Sequence, residues 1–138
     1  MTSSINKPPI WFWIVGVIAL VWNGMGVNAY LQQAYNTESY RNMYSTEQLE
    51  IAANMPVWVT AAFAIAVFGG ALAAIGLLLR KSWSVKLWLL SLLAVIIQMG
   101  YILINGYASS MVMTIMIIVF ALFFVWFARK SESKGWLS

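Results

Sequence analysis

Four side chains within the apolar stretches of this 138-residue sequence could do mild chemistry: Asn23, Gln98, Tyr101 and Asn105. A carboxamide both donates and accepts, so it can grip adjacent hydroxyl groups, while a neighbouring aromatic face such as Trp22 covers the apolar side of a ring. The combination suits a polar permeation path or a binding site for a small neutral, polyhydroxylated solute. The same groups also serve as interhelical hydrogen-bond contacts, each worth about 0.6–2 kcal/mol in a bilayer. Residue type and spacing leave both readings open.

Other chemistries lack their parts. The sequence has no cysteine, histidine or aspartate. Thiol redox chemistry is therefore absent, and the common zinc, copper and haem sites lose their main ligands. No nucleophile–base–orienter set can be assembled, so the expectation is no enzyme, no cofactor and no metal. Glu38, Glu47 and Glu50 lie outside the apolar runs, where helix-start electrostatics accounts for them. Met99, Met111, Met113 and Met116 suit ordinary packing. The net charge of +4 is not a nucleic-acid signal, because the basic residues flank apolar runs and form no aromatic-interleaved stripe.

The elements that must position the four candidates are membrane helices. Apolar residues make up 62% of the chain and charged residues 9%, too lopsided for a soluble domain of this length. Apolar runs cover residues 10–30, 57–79, 87–106 and 111–128, each long enough to span a hydrocarbon core of about 30 Å. All Lys, Arg and Glu residues fall outside them. The expected fold is therefore an all-α membrane protein in one integral domain, 1–138. Short links at 80–86 and 105–110 call for an up-down-up-down bundle of four transmembrane helices.

Orientation follows from the basic residues. Lys7, Arg80, Lys81, Lys86, Arg129, Lys130 and Lys134 share one side and Arg41 alone lies on the other, which places both termini in the cytoplasm. Trp11, Trp13, Trp83, Trp88, Trp126 and Trp136 would form an aromatic girdle there, with Tyr30, Trp58 and Tyr107 at the outer boundary. Between the first two spans, the segment 31–56 carries a capping box, Ser45 with Gln48, that predicts a short extracytoplasmic helix over 46–55. This segment is either a lid over the bundle or a solvated connector.

Within the spans, small residues recur at helical spacing. Ala62, Ala66, Gly69, Ala73 and Gly76 line one face of the second, and Ser91, Ala94, Gln98, Tyr101 and Asn105 one face of the third. Thr114, Ala121 and Ala128 repeat along the fourth. Such seams let backbones approach where no hydrophobic effect acts between helices.

Several stretches carry a resemblance: Lys7-Pro8-Pro9-Ile10-Trp11-Phe12, Trp22-Asn23-Gly24-Met25-Gly26-Val27, Trp58 through Gly70, Leu79-Arg80-Lys81, Gln98-Met99 and Lys134-Gly135-Trp136-Leu137. In these the chain resembles a family of small four-span bacterial inner-membrane proteins, some labelled sugar transporters. The resemblance implies an inner-membrane location and carries over no site residues. The expected function is non-enzymatic, through helix–helix association as a homo-oligomer or with a membrane-protein partner. The alternative is an oligomeric passive transporter or channel for a small neutral solute such as a sugar.

Overall fold

The computed structural model describes residues 7–106 and 111–138, which form six helices and no strands. They are α1 (Ile10–Tyr35), α2 (Glu38–Met43), α3 (Thr46–Ala53), α4 (Val57–Leu78), α5 (Trp83–Ile104) and α6 (Met111–Ser133). α1, α4, α5 and α6 are long and apolar enough to cross a membrane, with mean hydropathy from 1.8 to 2.7. These are the four expected spans, in a multi-pass membrane protein. Of the turn expected between the last two, residues 107–110, including Tyr107, lie outside the described residues.

Boundaries follow local chemistry. Pro9 and Pro56, both extended, precede α1 and α4, where a missing amide donor costs nothing. α1 runs about one and a half turns past its apolar stretch and stops at Asn36, which adopts φ 51°. There the Asn36 and Thr37 amides donate to the Gln33 and Gln32 carbonyls in a Schellman turn. Arg80 (φ 61°) and Gly135 (φ 77°) end α4 and α6 in the same way. The segment between α1 and α4 holds two short helices rather than one. Thr37 Oγ1 accepts from the Tyr40 amide to start α2, and the Ser45–Gln48 capping box forms as expected to start α3.

Each long helix packs antiparallel on the next, and α4 is the most enclosed of them. Its seam of Ala62, Ala66, Gly69, Ala73 and Gly76 is wholly buried. Close approach is built on glycine: a methyl on Gly76 would sit 2.5 Å from the Trp83 ring and 3.1 Å from Ser84 Cβ. Large side chains such as Ile18, Val21, Leu93, Ile97, Val119 and Leu122 point outward, toward lipid. Small residues inside and bulky ones outside reverse the soluble pattern and suit a bundle held by van der Waals contact.

α1 and α6 close the ring through aromatic side chains. Phe12 meets Phe127 at 5.8 Å between centroids, and Trp22 meets Phe120 edge-on at 4.5 Å. Two members of the expected girdle belong to this interior: Trp88 is 2% exposed and Trp136 8%. Gly135 turns the chain back, so that Trp136 and Leu137 enter the bundle beside Trp11 and Phe12. The Ser138 amide then donates to Arg80 O, the Ser82 amide donates to Ser138 O, and Arg80 Nε donates to Trp136 O, each at 2.9 Å.

Candidate functional site

The four residues singled out from sequence do not converge. Asn23 is buried at the α1–α4 crossing, where Nδ2 donates to Ala19 O at 2.8 Å and Oδ1 lies against Gly70. Ser91 reaches the same place from α5, donating from Oγ to Ala66 O at 2.7 Å. Tyr101 packs edge-on against Trp58 of α4, with ring centroids 5.3 Å apart. Asn105 is exposed and donates to Tyr101 O, finishing its own helix. Gln98 is half-buried on α5 and its side chain makes no hydrogen bond among the described residues.

A different set of polar groups does converge. A cavity of about 590 Å³ lies between α1, α4, α5 and α6 and is roofed by α2 and α3. Its uncharged hydrogen-bonding groups are Asn28, Gln32, Gln33, Tyr40, Tyr44 and Gln48. The rest of the lining is apolar, including Met25, Phe63, Ile102 and Met113 on the long helices, and Met43, Ile51, Ala52 and Met55 in the segment that roofs it. Among the described residues, no charged side chain lines it. A second hollow of about 570 Å³ adjoins it and shares Gln33, Tyr40, Ala52 and Met55. Both volumes fall in the range of about 300–1,000 Å³ typical of small-molecule sites.

The groups differ in how freely they can take a ligand. Gln48 Oε1 is committed to the Ser45 amide, and Gln32 Oε1 accepts from Thr37 Oγ1. The side-chain amides of Asn28 and Gln33 have no hydrogen-bond partner among the described residues, so the side-chain donors and acceptors of both remain open. The Tyr40 and Tyr44 rings pack 5.4 Å apart. Burial, and then the neighbouring Tyr44, raise the Tyr40 phenol above its ordinary value, so it stays a neutral hydroxyl at any physiological pH.

The roof is lightly attached. No residue of α2 or α3 is buried, and α3 makes little close backbone contact with the long helices. Such a segment belongs to the low-stability end of a fold, from which moving covers are drawn.

No family model, curated protein or solved structure matches this chain. The chemistry of the cavity therefore rests on its lining alone: neutral donors and acceptors among apolar side chains, with no charged or metal-binding group among the described residues.

A weak sequence signal did mark this site. Asn28 near the end of the first apolar run and Gln32 and Gln33 just beyond it recur at helical spacing, on a helix that continues to Tyr35. The run's end concealed Gln32 and Gln33, because the polar residues after it looked like the start of a connector.

Proposed function

We propose that this chain is a non-enzymatic, multi-pass protein of the bacterial inner membrane that binds a small neutral ligand bearing hydroxyl groups, in the cavity under α2 and α3. The observation that carries this reading is the lining: six uncharged hydrogen-bonding side chains over apolar walls, with no charge among them. A charged ligand would be desolvated there without compensation, at a cost of several kcal/mol. The absence of cysteine, histidine and aspartate supports a non-enzymatic role. Seven basic residues against one support cytoplasmic termini.

Binding fits better than conduction through one bundle. At the end opposite the cavity, Phe12, Leu77, Trp88, Phe124, Phe127 and Trp136 fill the interior. A passive carrier for a sugar would therefore need a homo-oligomer, with its path between subunits.

The test is thermal unfolding followed by tryptophan fluorescence, across a panel of neutral polyols, sugars and their acylated forms. The detergent must carry no hydroxyl groups, since a maltoside would itself be a ligand. A saturable rise in midpoint for some member, lost in Asn28→Leu and Gln33→Leu, is expected. A panel without any saturable response sinks the proposal.

Association with another membrane protein or a second copy remains the second reading. It is favoured by Gly24 and Gly100, both with open space where a Cβ would lie. Crosslinking in native membranes that recovers only the monomer would exclude it.

A further inference from the structure

The walls of the cavity say how its ligand arrives. From the end that holds the termini, the seam between α1 and α6 is closed by rings: Trp11 and Phe12 against Phe127, then Trp22 against Phe120. One turn further along, the pattern changes. Met25, Asn28 and Gln32 of α1 and Met113 of α6 become walls of the cavity. Met25 and Met113 are 63% and 49% exposed, so the cavity opens sideways between these two helices.

Depth matters as much as direction. From Met25 to Gln33 the lining climbs α1 by about 12 Å at 1.5 Å per residue. Its lower part lies inside the apolar span and its upper part passes beyond it. The side opening therefore meets the acyl-chain region of the bilayer, while Gln33, Tyr40 and Tyr44 stand at headgroup level. Along α1 the lining passes from Met25 to Asn28, Gln32 and Gln33, and the roof adds Met43, Ile51 and Met55 beside its phenols.

We infer that the ligand is a membrane amphiphile with an uncharged, hydroxyl-bearing head, of the diacylglycerol or neutral glycolipid class, which enters from the lipid between α1 and α6. The head lies beneath α2 and α3, against Asn28, Gln33 and the two phenols. An acyl chain occupies the gap over Met25 and Met113. This inference rests on the proposed neutral-ligand site and adds the ligand class and its route. A phosphate-bearing lipid is disfavoured because no cation lines the cavity among the described residues.

The experiment uses the full chain in an amine-oxide detergent and three probes: dioctanoylglycerol, methyl glucoside and dioctanoylphosphatidylglycerol. Tryptophan-monitored melting is recorded against concentration of each. Dioctanoylglycerol should raise the midpoint saturably, while the other two produce no saturable rise. Met113→Trp, which fills the opening from the α6 side, and Gln33→Leu should each weaken that response by about tenfold, the equivalent of one lost hydrogen bond or blocked contact. If Met113→Trp fails to fold, Met25→Trp narrows the same opening from α1.

A saturable response to methyl glucoside at equal or lower concentration overturns lateral access and keeps the neutral-ligand site. An equal response to the phosphatidylglycerol overturns the uncharged head. No response to any probe overturns both readings. A dioctanoylglycerol response unchanged in a folded Met113→Trp or Met25→Trp overturns the route.

Discussion

Gly70 offers the sharpest test of how α1, α4 and α5 are registered. A methyl placed there would collide with Asn23 Oδ1, lie 2.8 Å from Asn23 Cγ and 3.3 Å from Ser91 Oγ. Asn23 cannot easily retreat, because it is 9% exposed and its Nδ2 is tied to Ala19 O. Overpacking of this kind costs about 2 kcal/mol, within a range of about 1–3. Replacing a mid-helix glycine by alanine returns about 1 kcal/mol of helix propensity. Gly70→Ala should therefore destabilise the bundle by about 1 kcal/mol. In an Asn23→Ala background the collision partner is gone, only the rotatable Ser91 hydroxyl remains near, and the same change should stabilise by about 1 kcal/mol. The difference, a coupling of about 2 kcal/mol, is large for a double-mutant cycle. Reversible unfolding in mixed micelles, followed by tryptophan fluorescence, measures all four corners. Equal effects of Gly70→Ala in both backgrounds would refute the α1–α4 register.

Three further outcomes are expected. Arg80→Ala should cost about 2 kcal/mol by the same unfolding assay, since alanine keeps the left-handed strain and loses the bond to Trp136 O. Arg80→Gly should cost less, by about the 1 kcal/mol of strain that glycine avoids. Ser84 Oγ is buried without a hydrogen-bond partner, so Ser84→Ala should stabilise by about 1 kcal/mol in equilibrium unfolding. Tyr40 holds its proton more tightly when folded, so its stabilising contribution is complete below the ordinary phenol value and is lost as pH rises through the higher folded one. Midpoint shifts by a neutral ligand, followed from pH 6 to 11, should therefore stay flat until the medium passes about pH 10.

The helices were legible because a membrane imposes a simple rule: backbone polar groups must pair within the segment, so long apolar runs are helices. The buried seam of α4 was legible for a related reason, since only small residues allow two neighbours to approach one helix closely. Trp88 and Trp136 were not, because an amphipathic ring near a span's end suits the headgroup layer as well as a core. What brings Trp136 inside is a turn at Gly135 and pairing with Arg80, a contact 56 residues away in sequence. The cavity was hidden for the same kind of reason. Asn23, Gln98, Tyr101 and Asn105 share a polar character but are dispersed by the bundle, whereas Asn28, Gln33, Tyr40 and Tyr44 converge through the fold-back of α2 and α3.

The most direct test of the ligand site uses the chain's lack of cysteine. A single Asn28→Cys thiol in the cavity wall and a single Ser39→Cys thiol on exposed α2 can each be labelled by a maleimide with no competing site. Saturating dioctanoylglycerol should slow labelling at position 28 at least fivefold and leave position 39 unchanged. If no neutral hydroxyl-bearing ligand, acylated or free, protects position 28, the cavity is not a binding site and the account fails.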